Sequence, residues 1–91
     1  MNCEVIHDKK NKLFKIDIEE ETAYLSYSVA GDTINFNSTY TPPKLRGKGL
    51  ARIIVEKAFD YAGKEKLKVT SGCSYVVRFV HQNDEYKKLM K

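Results

Sequence analysis

Pro42-Pro43-Lys44-Leu45-Arg46-Gly47-Lys48-Gly49-Leu50-Ala51 divides two kinds of pattern in this chain. Upstream of it apolar residues recur every second position, and downstream they recur at helical spacing. The two prolines end the strand that precedes them, because proline fixes φ and has no N–H to give a ladder. From Leu50 onward, Leu50, Ala51, Ile54, Val55, Ala58, Phe59, Tyr61 and Ala62 form one helical stripe, which puts Gly47 and Gly49 at a helix N-terminus. Unpaired backbone N–H groups there make an anion site. With Arg46 and Lys48 beside it, that site suits a phosphate or pyrophosphate better than a lone carboxylate.

Two familiar phosphate loops are excluded by position. A Walker A loop needs lysine and a hydroxyl residue after its second glycine, and Leu50 follows Gly49. A dinucleotide fingerprint begun at Gly47 needs a third glycine at position 52, which is Arg52, and the strands upstream read as antiparallel. Arg46, Gly49 and Ala51 do fill the R/Q-x-x-G-x-G/A pattern of acetyl-CoA-dependent acyltransferases. On that turn, its Tyr40-Thr41-Pro42-Pro43 lead-in and a later Cys73-Ser74-Tyr75-Val76 segment, the sequence resembles the GCN5-related N-acetyltransferase family. Its small single-domain YjdJ-like members are the nearest in pattern, and the likeness spans nearly the whole chain.

On either side of the turn the chain reads as an α+β (mixed α/β) fold. Glu4 to His7 is a short first strand, closed by the turn-like Asp8-Lys9-Lys10-Asn11. Phe14, Ile16 and Ile18 alternate with Lys15, Asp17 and Glu19 in a second strand, and Glu20-Glu21 forms a hairpin tip. Ala23, Leu25, Tyr27 and Val29 define a third strand. After Ala30-Gly31-Asp32, the residues Ile34, Phe36, Ser38 and Tyr40 define a fourth. An antiparallel four-strand meander is the economical topology. The long helix ends near Gly63 to Lys66, and Leu67 to Thr70 is a fifth strand, which a strand-helix-strand crossover makes parallel to the fourth. Ser71-Gly72-Cys73 is a loop. Tyr75, Val76, Phe79 and Val80 follow in helical phase to a stop at Asn83, with a last turn or two through Leu89.

The resemblance implies what these patterns do not show. The fourth and fifth strands splay, and the pantetheine arm of acetyl-CoA lies in the V between them. Tyr40 and Thr41 then offer strand backbone, and Leu45, Arg46, Gly47, Lys48, Gly49, Leu50 and Ala51 surround the pyrophosphate. Ser74 and Phe79, on the following helix, line the other side. Acetylation of an amine needs a neutral amine, a donor to the oxyanion and an acid for the leaving thiolate, and family members commonly use a tyrosine as that acid. Here the candidates are Cys73 and Tyr75. A thiol at a helix start has its pKa drawn below about 8.5 and serves as acid, or as a nucleophile that carries the acetyl group and gives ping-pong kinetics. The plain alternative is a small buried cysteine.

Composition bounds the rest. Ninety-one residues make one domain, 1–91, of the minimal N-acetyltransferase kind. No stretch is apolar enough to span a membrane, and the opening Met1-Asn2-Cys3-Glu4 is no signal peptide, so a cytoplasmic place with Cys3 and Cys73 as thiols is expected. The net charge of +4 steers anionic CoA, whereas its scatter among acids argues against a nucleic-acid stripe. Cys3 and His7 share a strand face but lack the further ligands of a zinc site, so no metal is expected. His81 reads either as a base at the cleft mouth or as an idle surface histidine. Glu19 to Glu21 attract a cationic amine or simply form a solvated tip, and Arg78 contacts cofactor phosphate or solvent. Only Asp8 to Lys12 separate the first two strands, where larger family members carry a helical wall for the acceptor. The acceptor is therefore expected to be large, a protein or peptide, with oligomeric state left open. Two other readings compete with the acyltransferase: a non-catalytic CoA- or acyl-CoA-binding module, and a basic nucleic-acid-binding domain.

Overall fold

The structure, a computed structural model, describes residues 4–91. Its sheet runs in the order β1 (Ile6–Asp8), β2 (Leu13–Ile18), β3 (Glu21–Ala30), β4 (Thr33–Tyr40) and β5 (Lys68–Ser71). The first four strands are antiparallel neighbours and β5 is parallel to β4, as the crossover requires. A 3-10 turn, Pro43–Leu45, leads to the long helix α1 (Leu50–Lys64). The shorter helix α2 (Ser74–Gln82) and a 3-10 segment, Asp84–Leu89, follow β5.

Period-two patterning puts Phe14, Ile16, Ala23, Leu25, Ile34 and Phe36 on one sheet face, where α1 covers them with Leu50, Ile54, Val55, Ala58, Phe59 and Ala62. Phe59 is the hub. Its ring meets Phe36 edge-on at 5.1 Å, stacks on Phe79 at 6.0 Å and lies 5.0 Å from Tyr86, so sheet, both helices and the C-terminal segment share one aromatic column. The other sheet face is polar. Ser26 and Ser38 hydrogen-bond across β3 and β4 at 2.9 Å, Thr70 donates to Asn35 at 2.8 Å, and Tyr24 pairs with Tyr40 at 5.7 Å.

The structure moves several boundaries. β1 begins at Ile6 rather than Glu4 and extends to Asp8, whose carboxylate accepts bonds from the Asn11 backbone and side chain at 3.1 and 2.9 Å and so closes the turn. Cys3 lies outside the described residues. The β2–β3 tip is Glu19-Glu20, both with positive φ (48° and 68°), and Glu21 already pairs with Ile18. A two-residue hairpin turn matching the strand twist requires that conformation, although no glycine marks it. Val29 is 42% exposed instead of buried, because β2 pairs with β3 only as far as Ser26 and leaves Val29 without a neighbour on that side.

The largest correction falls in β4. Ser26 pairs with Ser38 but Tyr27 pairs with Phe36, so Asn37 is an extra residue, a β-bulge. Alternation reverses there. Phe36 and then Thr39, opposite buried Leu25, face the helices, while Ser38 and Tyr40 turn to the polar face. β5 ends one residue later than expected, at Ser71, and the chain end covers its outer edge: Met90 bridges Val69, and the Lys91 N–H donates to the Val69 carbonyl at 2.8 Å.

β1 is held by aromatic packing. His7 stacks on Phe14 at 4.1 Å, meets the Tyr61 ring edge-on at 4.5 Å and is hydrogen-bonded to Tyr27 Oη at 2.6 Å. Burial, then the charge of Lys9, lowers the His7 pKa below 6.5, and Asp8 opposes this only in part. The unfolded chain thus binds the proton more readily, so stability rises as pH climbs from the folded-state pKa of His7 to 6.5 and gains nothing from His7 above that. Urea midpoints measured between about pH 5 and pH 8 are expected to show this rise in the wild type and to lose the His7 component in His7→Phe. An identical slope in the variant contradicts the assignment.

Candidate functional site

The glycine turn is built by constraint on both sides. Pro42 is buried, and the 3-10 turn closes through the Leu45 N–H donating to the Pro42 carbonyl at 2.8 Å. Leu45, 4% exposed, pins the turn to the core. Gly47 and Gly49 have φ of 84° and 74°, and a β-carbon on either would meet no atom within 4 Å. The glycines are therefore required by backbone conformation, and the space above them is open for a ligand. Gly49 is the N-cap of α1 with no side-chain cap, and the first helical bond is from the Ile53 N–H to the Gly49 carbonyl at 3.3 Å. The amides of Leu50, Ala51 and Arg52 precede that bond and point out of the helix end.

A cavity of about 210 Å³ is lined by the turn at Gly47, Gly49, Leu50 and Ala51 together with Thr41, Arg46 and Tyr75. The Arg46 Nε donates to the Thr41 carbonyl at 3.0 Å, which lays the guanidinium along the turn. Lys48 is exposed beside it. Cationic groups around uncapped amides, with no acidic residue in the first turn of α1, form an anion cradle.

The second half of the site begins where β4 and β5 part. Their ladder ends at Phe36 opposite Ser71, next to the bulge, while β4 runs on through residues 37–40 with no strand on that edge. Ser71 Oγ donates to the Phe36 carbonyl at 2.9 Å and accepts from the Cys73 N–H at 3.0 Å, turning the chain into α2. Cys73 is the N-cap of α2, and its Sγ lies 3.6 Å from Thr39 Oγ1. Partial burial pushes the thiol pKa up, but bonds from the Thr39 hydroxyl and from the backbone at Val76, Tyr75 and Thr39 outweigh it and leave the thiol below its ordinary value. Tyr75 moves the other way. Burial raises its pKa, opposed by Arg52, so the phenol keeps its proton at neutral pH.

The expected site residues thus fall into groups. Thr41, Arg46, Gly47, Gly49, Leu50, Ala51 and Tyr75 meet at the anion cradle, with Leu45 and Leu50 offering backbone because their side chains are buried. Tyr40 turns its ring to the polar face, which leaves its backbone at the open β4 edge. Cys73 and Ser74 line a different cavity of about 620 Å³ together with Arg78 and His81. Phe79, 5% exposed, stands in the core against Phe59 and Tyr86 and borders a crevice of about 90 Å³ with Tyr75 and Arg78. Thr39 and Ser71 belong to the site and escaped the sequence reading. For Thr39 the signal is the polar run Asn37-Ser38-Thr39, where an uninterrupted inward face would continue apolar; Ser71 has none. Among the described residues no cluster of three metal-ligating side chains occurs, and no helix is long and apolar enough to cross a membrane.

Comparison with known proteins bears on the family and the fold. The model of the GCN5-related N-acetyl-transferases matches residues 13–89. Protein NATD1 of Danio rerio is 33% identical over 82 residues, covering 87% of this chain and 74% of the relative. Protein NATD1 of Xenopus tropicalis is 30% identical over 82 residues, covering 87% and 75%. The solution structure of a GCN5-like protein from Staphylococcus aureus superposes with a TM-score of 0.78 at 24% identity, over 99% of this chain and 89% of that one, and so shares the fold. The chain belongs to the GCN5-related N-acetyltransferase family.

Proposed function

We propose that this chain is a single minimal acetyl-CoA-dependent N-acetyltransferase domain acting on an amine presented by a protein or peptide. One observation carries the reading. The same side of the sheet holds an uncapped, glycine-lined helix start flanked by Arg46 and Lys48, and a hydrogen-bonded thiol, Cys73, at the point where β4 and β5 separate. These residues fit acetyl-CoA. The amides from Gly47 to Ala51, with Arg46 and Lys48, take the pyrophosphate charge, and the open backbone edge of β4 near Tyr40 and Thr41 takes the amide-bearing arm.

Acetyl-CoA, when bound, supplies an activated acetyl thioester. The protein supplies proton control and position. Cys73 Sγ, held below its ordinary pKa by Thr39 and the start of α2, serves as the acid toward a leaving thiolate. Tyr75 remains a protonated donor at the cradle wall. Ser71 and Phe79 position the start of α2, the first by hydrogen bonds and the second by packing on Phe59. A reducing compartment such as the cytoplasm, where Cys73 stays a thiol, belongs to the same reading.

Calorimetry with acetyl-CoA is expected to show one site per chain with about micromolar affinity, about −8 kcal/mol. Gly49→Asp places a carboxylate and a strained positive φ in the cradle and should weaken that binding by at least about tenfold. Cys73→Ala should keep cofactor affinity within about twofold while turnover on a peptide panel falls by about a hundredfold. Undiminished turnover removes Cys73 from the chemistry, and tight binding without turnover in the wild type indicates a binding module instead. The thiol itself offers a separate check. Alkylation of Cys73, followed peptide by peptide against pH, should have its midpoint below that of an ordinary cysteine, and Thr39→Val should raise it. An unmoved midpoint shows that Thr39 does not set the thiol's acidity.

A further inference from the structure

The cavity of about 620 Å³ beyond Cys73 shares no lining residue with the anion cradle, and its lining mixes apolar side chains with cations. Cys73, Val77 and His81 succeed one another at one-turn spacing along α2, and the Val77 N–H donates to the Cys73 carbonyl at 3.2 Å. Val77 is 53% exposed, whereas Val76, Phe79 and Val80 on the same helix are buried. An amphipathic helix of this size would ordinarily place a polar residue there. Around this apolar floor stand Arg78, His81 and Lys87, and no acidic residue lines the cavity. Lys87 has a surface partner in Asp84 at 3.1 Å, while the Arg78 guanidinium has no hydrogen-bond or ion-pair partner among the described residues.

We infer that this trough is the acceptor subsite and that it takes a peptide segment carrying acidic and apolar side chains next to the amine to be acetylated. The inference rests on the acetyltransferase reading above and adds to it the chemistry of the acceptor. Charge complementarity selects the acidic side chains, and Val77 selects an apolar one. The trough's shape selects a peptide over a small molecule. Sites for small ligands bury about 70–90% of the ligand, and an open surface lined by half-exposed Val77 cannot, whereas a peptide needs contact on one side only. Cys73, in the wall of the trough and bonded to Thr39 on β4, then stands between the acceptor and the cofactor cleft.

The test uses labelled peptides of about ten residues with one central lysine, flanked either by Asp and Leu or by Arg and Leu. Their binding to the CoA-saturated protein is read by fluorescence anisotropy, and their acetylation by kcat/KM. The wild type is expected to prefer the acidic peptide by about tenfold, Arg78→Glu with Lys87→Glu to abolish or invert that preference, and Val77→Ser to weaken it. CoA affinity, measured by calorimetry on each variant, should stay within about twofold of the wild type. Equal binding of both peptides by the wild type, or an acidic preference that survives the double charge reversal, overturns the inference while leaving CoA binding and the enzyme reading intact. A parallel loss of CoA affinity in the double variant overturns it too, by assigning the cations to the cofactor phosphates. Absence of CoA binding in the wild type instead strikes the acetyltransferase reading itself.

Discussion

Ser71 Oγ donates to the Phe36 carbonyl at 2.9 Å and accepts from the Cys73 N–H at 3.0 Å, and at that residue the pairing of β4 with β5 stops. Both bonds satisfy backbone groups that a longer ladder would have used, so the strands separate without leaving polar atoms orphaned. Asn37, the bulged residue one step on, redirects β4 and brings Thr39 to the helix side. The proposed role of Cys73 depends on that separation. The edge of β4 is opened, α2 starts at its mouth, and Cys73 faces Thr39 across the gap.

Keeping such a gap open in a chain of this length demands a rigid frame on the closed side. Phe59 provides it by joining the sheet, α2 and the C-terminal segment through ring contacts with Phe36, Phe79 and Tyr86. Removing a phenylalanine so placed costs about 3–5 kcal/mol, a large share of the roughly 5–14 kcal/mol that holds a domain of this size together. The cost of economy appears on the other sheet face, where residues 9–12 are all that joins β1 to β2 and hydroxyl and amide side chains meet solvent.

How far the sequence announced this structure can be judged residue by residue. The α1 stripe from Leu50 to Ala62, the glycine turn and the crossover to a parallel β5 were all legible, because each follows from a period or a backbone constraint that needs no distant partner. The Glu19-Glu20 tip was misplaced by one residue since two glutamates with positive φ carry none of the usual turn chemistry. The bulge at Asn37 was hidden for a different reason: it depends on the register between β3 and β4, a tertiary quantity. With it went Thr39, which the period-two reading assigned to the wrong face. Cys73 was singled out as a candidate from its place at a helix start, yet what lowers its pKa is partly a hydroxyl 34 positions away.

The central claim is that the cofactor occupies the cleft between the open β4 edge and the start of α2, with its phosphates on the glycine turn. Amide chemical shifts in 15N-labelled protein, followed through a titration with CoA, test it most directly. The account predicts saturable shifts at Gly47, Gly49, Leu50 and Ala51, at residues 37–40 of the β4 edge and Thr41 beyond it, and at Cys73 and Tyr75, with the β1–β2 hairpin unmoved. Shifts confined to the polar sheet face or to the His7 cluster, or none at saturating CoA, would contradict it.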